Sequence, residues 1–389
     1  MRTCHTPATR MQATQPFLVY RDRIGVPSEV GFLGRQYVGF TRLHPVWIGR
    51  TLLPDAPQTG ATLLRLGGNG PLGPIHRLLY RQAGIVPSSL LRQASLHPSS
   101  AGEPSPLLHA QFARGGALAL PLAQALGLRM VVTLHGGDVS KQKNWRGTVL
   151  ARRWPALVRE THRFVCVSAA VAEVAARHGV PPDKLVILPI GVEIPGQPPP
   201  RQPAVYLFVG RFVEKKGIHI LAAALRRLRA HGDQTPLVCV GDGPMRPILE
   251  TLARDVTGIT LTGWVPPDAV RAHMSDAMAL VVPSMIAADG DAEGLPSVIP
   301  EAMAQACPVI GSDQGGIAEA IRQEKTGLLV PPGDPEALAS AMQRLSQDAS
   351  LRETLGETGF SEAAATLNAR IQSAKLEMLL LSVGCNRLR

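Results

Sequence analysis

Residues 204–232 read AVYLFVGRFVEKKGIHILAAALRRLRAHG. The run from Ala204 to Val209 is wholly apolar, rich in β-branched and aromatic side chains, and stops at Gly210. That is the pattern of a strand buried on both faces. From Gly217 to Gly232 the apolar residues recur at helical spacing, and the closing glycine suits a helix C-terminus. A buried strand, a short basic loop and a helix make half of a βαβ unit.

The unit recurs down the chain. "PLVCVGDG" (236–243) is a strand leading into the helix "PMRPILETLARD". Strand "ITLTG" precedes helix "PDAVRAHMSDA", strand "MALVVPS" precedes helix "SVIPEAMAQA", and strand "PVIGSD" precedes helix "GIAEAIRQ". Strand "GLLVPPG" and helix "DPEALASAMQRLSQ" close the series. Strands alternating with helices predict a parallel sheet covered on both faces. The same alternation is visible earlier, in "LRMVVTLHGGD" and "RFVCVSAAVAEVAARHGV". Between the two series, "EIPGQPPPRQP" (193–203) has five prolines in eleven residues and reads as an extended linker. The fold class is α/β, with two Rossmann-like doubly wound domains facing a cleft. The boundaries are residues 1–193, a linker at 194–203, a second domain at 204–360 and a closing helical segment at 361–389. A softer proline-rich stretch over 86–106 reads as a surface loop of the first domain.

A chain of 389 residues is long enough for two such domains. Hydrophobic residues at 45% against 18% charged describe a packed globular protein. Aromatic residues at 4% argue against stacking platforms for nucleic acid, and no apolar run reaches the roughly 18 residues that span a bilayer. The N-terminus has no continuous apolar stretch of the signal-peptide kind, so a cytoplasmic location is expected. Five cysteines without CxxC spacing predict free thiols. The charge is lopsided. Residues 1–200 hold 22 Lys and Arg against 9 Asp and Glu, whereas residues 201–389 hold 18 against 21. The basic half suits an anionic membrane face or a phosphorylated acceptor, and equally a plain solubility surface.

Ligands of doubly wound sheets sit at the carboxyl ends of the strands. There, Arg211 and Lys216 precede a helix whose free N–H groups favour anions, which is the makeup of a diphosphate site. "GDGP" (241–244) opens the next helix. Glu293 and Glu301 lie eight positions apart across a Gly-Leu-Pro turn, with Ser297 placed to cap the helix that carries Glu301. Helix-dipole preference accounts for Glu301 alone but not for Glu293. Two carboxylates reaching different hydroxyl-bearing parts of one ligand suit a polyol such as a sugar and a ribose. Two literal motifs are set aside. "GNGPLG" (68–73) has no acidic residue about 20 positions on, and "DGD" (289–291) sits in the loop leading to Glu293. No Cys/His cluster has zinc spacing, and no G-x-S-x-G elbow occurs.

Together, "GRFVEKKG", "GDGP", the paired glutamates of "EGLPSVIPE" and "GSDQGGIAEAI…TGLLVPPGD" resemble the donor domain of retaining glycosyltransferases of family 4, which have the GT-B architecture. The resemblance is near-continuous from about 205 to 345. It is thinner over the first domain, through "HAQFARGG", "VVTLHGGD", "VCVS" and "LPIGVE". "RIGVPSEVGFLGRQ" is similar to the first-strand loop of members that build exopolysaccharide and lipopolysaccharide units. Two departures are Pro300, where an aliphatic residue is usual, and a single Gly25 in place of a Gly-Gly pair.

The resemblance implies that Arg211 and Lys216 bind the donor diphosphate, and that Glu293 holds the transferred sugar. Backbone N–H groups of Gly294 and Leu295 would lie near the phosphate or sugar, Gly241 and Gly243 would line the donor site, and Glu301 would hold the ribose. His135 would touch the sugar from the opposite lobe, and the last helix would cross back to the first domain. It further implies a metal-independent reaction without a cofactor, with a UDP- or GDP-sugar as donor. The acceptor would be a hydroxyl on a lipid-linked oligosaccharide, with peripheral contact to the anionic inner membrane face and no nucleic-acid partner. Two alternatives stay open: another GT-B enzyme (a nucleotide-sugar epimerase or a sugar-phosphate-acceptor synthase), and a catalytically silent scaffold.

Overall fold

The computed structural model describes residues 14–49, 51–53, 63–65, 73–86, 88, 91 and 107–385. The N-terminal residues with Cys4, most of "GNGPLG" and most of the stretch 86–106 fall outside them. The N-terminal lobe is built on seven parallel strands: β1 (Gln15–Tyr20), β2 (Leu43–Gly49), β3 (Leu63–Arg65), β4 (Leu107–Gln111), β5 (Arg129–Leu134), β6 (Thr161–Cys166) and β7 (Leu185–Ile187). Their order across the sheet is β3-β2-β1-β4-β5-β6-β7. The C-terminal lobe has six: β8 (Val205–Val209), β9 (Leu237–Val240), β10 (Ile259–Gly263), β11 (Ala277–Val282), β12 (Val309–Ser312) and β13 (Gly327–Val330). Their order is β10-β9-β8-β11-β12-β13.

Both sheets therefore run outward from their first strand and then reverse. The reversal lies between β1 and β4 in one lobe and between β8 and β11 in the other. At such switch points the loops leave in opposite directions and open a crevice at the carboxyl ends. The two crevices face each other, which is the GT-B arrangement. The strands are apolar on both faces because helices cover both. Tyr206, Leu207 and Phe208 of β8 are all buried, and Leu207 packs in a different cluster from its two neighbours. Cys166, Cys239 and Cys307 are buried free thiols, as small apolar side chains commonly are. Among the described residues no helix is long and apolar enough to cross a membrane.

The C-terminal segment is two helices, Ala349–Thr366 and Ala369–Cys385. At the break the linker strand threads in. The Val192 N–H donates to the Leu367 carbonyl at 2.7 Å, and the Ala369 N–H donates to the Val192 carbonyl at 2.8 Å. The second helix lies against the N-terminal lobe, where Leu376, Leu380 and Val383 pack with Phe17, Val19 and Trp47. Glu377, one position from that stripe, is buried. Its carboxylate accepts the backbone N–H groups of Thr41 (2.9 Å), Arg42 (2.7 Å) and Leu43 (2.7 Å). Removing it would orphan three donors at the start of β2. Glu377→Ala is therefore expected to destabilise the protein by about 2–4 kcal/mol, measured as a shifted urea midpoint; a midpoint unchanged from wild type would show the helix to be dispensable.

Candidate functional site

The loop after β8 turns at Gly210, exposes Arg211, and tightens into a 3₁₀ turn at Glu214–Lys216 before the helix Ile218–Ala230. Gly217, with φ of 67°, makes the junction, because a Cβ there would stand 1.8 Å from the Pro283 carbonyl oxygen. The turn aims Lys215 and Lys216 at the loop after β11. Lys216 Nζ lies 3.1 Å from Glu293 Oε1, and Lys215 Nζ lies 3.5 Å from the same oxygen. Asp291 receives Lys215 at 3.2 Å and Lys141, from the other lobe, at 2.6 Å. Burial alone would push the Glu293 carboxyl up, but Lys216 and Lys215 outweigh it and hold it below the ordinary range. Asp291 is held low in the same way by Lys141 and Lys215 against burial. Both are anions at neutral pH. Arg211 has no side-chain hydrogen bond or ion pair among the described residues, so its guanidinium is available at the cleft. Gly241 and Gly243 lie against the backbone of Gly210 and Phe212, where a Cβ would come within 2.0 and 2.5 Å of the carbonyl oxygens. They hold the second donor-side turn against the first.

The opposite wall is His135, at the end of β5. Its ring lies 4.2 Å from that of Phe112, centroid to centroid, and the Arg21 guanidinium lies over the Phe112 ring at 4.2 Å. Arg21 is itself held by Glu29 through two bonds of 2.7 and 2.8 Å. His135 Nε2 is 2.9 Å from Gln111 Oε1, which can only accept. The proton is therefore on Nε2, and Nδ1 keeps its lone pair. Gln111 is oriented in turn by donating to the Tyr37 hydroxyl at 2.7 Å. Tyr37 then faces His109 Nδ1 at 2.9 Å, and His109 Nε2 faces the Thr133 hydroxyl at 2.7 Å. One buried chain of polar groups thus sets the tautomer of the cleft histidine. Burial pulls His109 down to about 3; burial, then Arg21 and His109, do the same to His135. His135 is a neutral hydrogen-bonding group, not a cationic acid, across the physiological range.

The lobes meet at glycines. A Cβ on Gly294 would stand 2.2 Å from the His135 carbonyl oxygen, and one on Gly136 would stand 2.5 Å from the Gly294 nitrogen. A Cβ on Gly316, in the "SDQGG" loop, would stand 1.6 Å from the Gly294 carbonyl oxygen. Around this contact, Arg35 pairs with Glu301 at 2.7 Å. Glu319 accepts the N–H groups of Ala169 and Ala170 at 2.7 and 2.8 Å, capping a helix of the other lobe.

Of the expected residues, Glu293, Lys216, Gly294 and His135 are brought to one place. Glu301 stands apart from them, on Arg35. The Leu295 side chain packs into the N-terminal lobe's core. The expected Ser297 cap does not form. Ser297 has helical dihedrals, makes no side-chain cap bond, and accepts the Glu301 N–H with its carbonyl, so the helix begins a residue earlier than a cap allows. Pro300 lies in the first turn, where no N–H is needed. Lys141, Lys215, Asp291, Arg35 and Glu319 went unnoticed in the sequence, since each pairs across a large separation that no local spacing marks. Asp289 and Asp291 of "DGD" both reach Lys141, at 3.4 and 2.6 Å.

The chain is similar to known proteins. A family model described as glycosyl transferases group 1 matches residues 203–348, and one described as glycosyltransferase family 4 matches residues 71–194. The chain is 28% identical to the amylovoran biosynthesis glycosyltransferase AmsK of Erwinia amylovora, over 82% of this chain and 81% of that protein. It is 30% identical to the putative teichuronic acid biosynthesis glycosyltransferase TuaC of Bacillus subtilis, over 69% and 67%. Among solved structures, Anabaena HepE in complex with UDP-glucose superposes with a TM-score of 0.75 at 16% identity, over 95% of this chain and 99% of that one.

Two measurements check this geometry. Gly294→Ala is expected to part the lobes and raise the radius of gyration in small-angle scattering; an unchanged radius would mean that the contact does not set their spacing. The neutral histidines give an acid-side dependence. Their native pKa values lie below the unfolded value of about 6.5, so the unfolded chain takes up protons that the native one refuses. Stability present above about pH 6.5 is lost progressively as pH falls toward 3. By calorimetry the melting temperature is expected to drop between about pH 6.5 and 4.5, more shallowly in His109→Gln, and an equal slope in that variant would contradict the assignment.

Proposed function

The chain belongs to the group 1 glycosyltransferases of family 4, and from that premise we propose that it transfers a sugar, with retention of anomeric configuration, from a UDP- or GDP-sugar to a hydroxyl of a lipid-linked oligosaccharide. The observation that carries this reading is the buried Glu293 carboxylate beside Lys216, one residue from the Gly294 contact with the His135 backbone where two strand-end crevices meet. A carboxylate and a neutral imidazole are the partners a sugar's hydroxyls need. Arg211, Lys216 and the N-terminus of the helix Ile218–Ala230 suit a diphosphate beside it.

In the reaction the bond from the anomeric carbon to the diphosphate oxygen breaks, and the acceptor oxygen bonds to that carbon on the same face. The acceptor's proton leaves with the departing diphosphate. Negative charge grows on the diphosphate as the bond lengthens, and preplaced cations at Arg211 and Lys216 stabilise it where it develops. Lys215 neutralises Asp291 and Glu293, so these carboxylates do not repel the incoming diphosphate. Contact between the lobes keeps water from the anomeric carbon. Metal independence is part of the proposal, supported by the pairing of Asp289 and Asp291 with Lys141. AmsK and TuaC are named for polysaccharide biosynthesis, which supports an exopolysaccharide or cell-surface polysaccharide product. The basic N-terminal half supports an acceptor presented at the cytoplasmic membrane face.

Thermal shift against UDP- and GDP-sugars in EDTA tests the donor site. A ligand at about 100 times its Kd adds about 2.7 kcal/mol to native stability, so one nucleotide class is expected to raise the melting temperature, and Lys216→Ala to abolish the rise. Arg35→Ala separates the two uses of Glu301. If that carboxylate holds the ribose, freeing it keeps or strengthens the shift, whereas Glu301→Ala weakens it. No shift with any nucleotide would favour the silent scaffold, and turnover of the donor without acceptor would favour an epimerase.

A further inference from the structure

In the N-terminal lobe, a 220 Å³ cavity is lined by Arg81, Arg114 and Arg152, with Gln82, Gly147 and Thr148. Among the described residues no carboxylate lines it. Three guanidiniums around one cavity repel one another, and only an anion relieves that repulsion. Arg152 donates to Gln82 at 3.1 Å, which orients it without neutralising it. The buried Nε of Arg81 has no hydrogen-bond partner among the described residues. By contrast Arg153, just behind, is tied to the carbonyls of Ala117, Tyr80 and Arg81 and serves the fold. The helix Val149–Glu160 starts at the cavity, and its first-turn N–H groups at Val149 and Leu150 have no intrahelical acceptor.

The helix that supplies Arg81, Gly73–Ala83, has its apolar side chains on the wrong face for a buried element. Tyr80 faces inward and is fully covered. Ile75, Leu78 and Leu79 are 54%, 57% and 40% exposed, and Ile85 just beyond the helix is 55% exposed. The positions 75, 78 and 79 share one helix face, so this is a stripe and not scattered residues. An exposed apolar stripe ending at an arginine-lined cavity fits a bilayer surface that carries a phosphorylated lipid. Arg114 stands two residues beyond Phe112, whose ring packs on His135, so one short stretch of chain connects the cavity lining to the cleft histidine.

We infer that the stripe Ile75, Leu78 and Leu79 rests in the bilayer, and that the cavity of Arg81, Arg114 and Arg152 seats the diphosphate of a polyprenyl-diphosphate acceptor. This rests on the glycosyltransferase reading above and adds the acceptor's anionic group and its place. Neutral sugars attached to that diphosphate extend past Arg114 toward His135.

The test is flotation of the full chain with vesicles of phosphatidylcholine alone, with added phosphatidylglycerol, or with added polyprenyl diphosphate. Wild type is expected to bind the diphosphate vesicles roughly tenfold or more tightly than phosphatidylcholine alone, and more tightly than the phosphatidylglycerol vesicles. Arg114→Ala/Arg152→Ala is expected to lose that gain, and Leu78→Glu/Leu79→Glu to float with none. Both variants alter exposed side chains away from the nucleotide, so their melting temperatures and nucleotide-induced shifts are expected to match wild type. A nucleotide shift absent from wild type would sink the donor reading while leaving the flotation result standing by itself. Equal binding by wild type and the arginine variant overturns the diphosphate seat. Equal binding to phosphatidylglycerol and diphosphate vesicles overturns it too, by making the patch a general anionic surface. Flotation unaffected by the two glutamates overturns the apolar contact.

Discussion

Two lobes can share one site only where their backbones come closer than any side chain permits. Gly136, Gly294 and Gly316 provide that approach, with the Gly294 backbone caught between the His135 carbonyl and the loop that opens the next helix. Several of the site's charged and polar groups lie within a few residues of this contact. Glu293 precedes it, His135 borders it, and Asp291 reaches across to Lys141 beside it. A single methyl group at Gly294 would need space that the His135 carbonyl already fills. Because interiors are close-packed, the lobes and not the methyl must give way.

Electrostatics follow from that closeness. Glu293 is buried deeply enough that desolvation alone would favour its protonated form, yet Lys216 and Lys215 keep it charged. Isolated, a buried carboxylate is costly; paired with cations, it stays ionised and keeps a fixed place as a hydrogen-bond acceptor. The cross-lobe pairs Lys141–Asp291 and Arg35–Glu301 do a different job, linking loops that belong to separate folding units. Glu301 illustrates the tension, since the carboxylate proposed to hold the ribose is the one that bridges the lobes through Arg35.

The N-terminal lobe supplies a neutral wall and a basic exterior. The chain Thr133–His109–Tyr37–Gln111–His135 is hydrogen-bonded throughout its buried length, which is the condition for a polar network to rigidify a core without weakening it. Outside it lie the arginines of the cavity, with no carboxylate among the described lining residues, and the outward apolar stripe, neither of which stabilises the fold.

Much of this was legible in residue order. The buried runs at 204–209 and 236–240 and the helical spacing after them specify strands and helices within a residue or two, because local hydrophobic periodicity reflects burial directly. "GRFVEKKG" and "EGLPSVIPE" marked the loops that carry Lys216 and Glu293, because charged residues at strand ends have few other reasons to sit beside glycines. The Ser297 cap misled, since a cap depends on the entry angle of the preceding loop, which the contact with the other lobe sets. The expected boundary at 360/361 cuts the helix Ala349–Thr366, because the break after it, at Leu367, is set by hydrogen bonds to the distant Val192. Sequence alone determined the alternation, the two domains and the residues worth suspecting, all properties of short range. Only the tertiary structure decided which charges meet, which glycines touch and which nitrogen of His135 carries its proton, because those depend on partners up to 266 positions apart, as with Arg35 and Glu301.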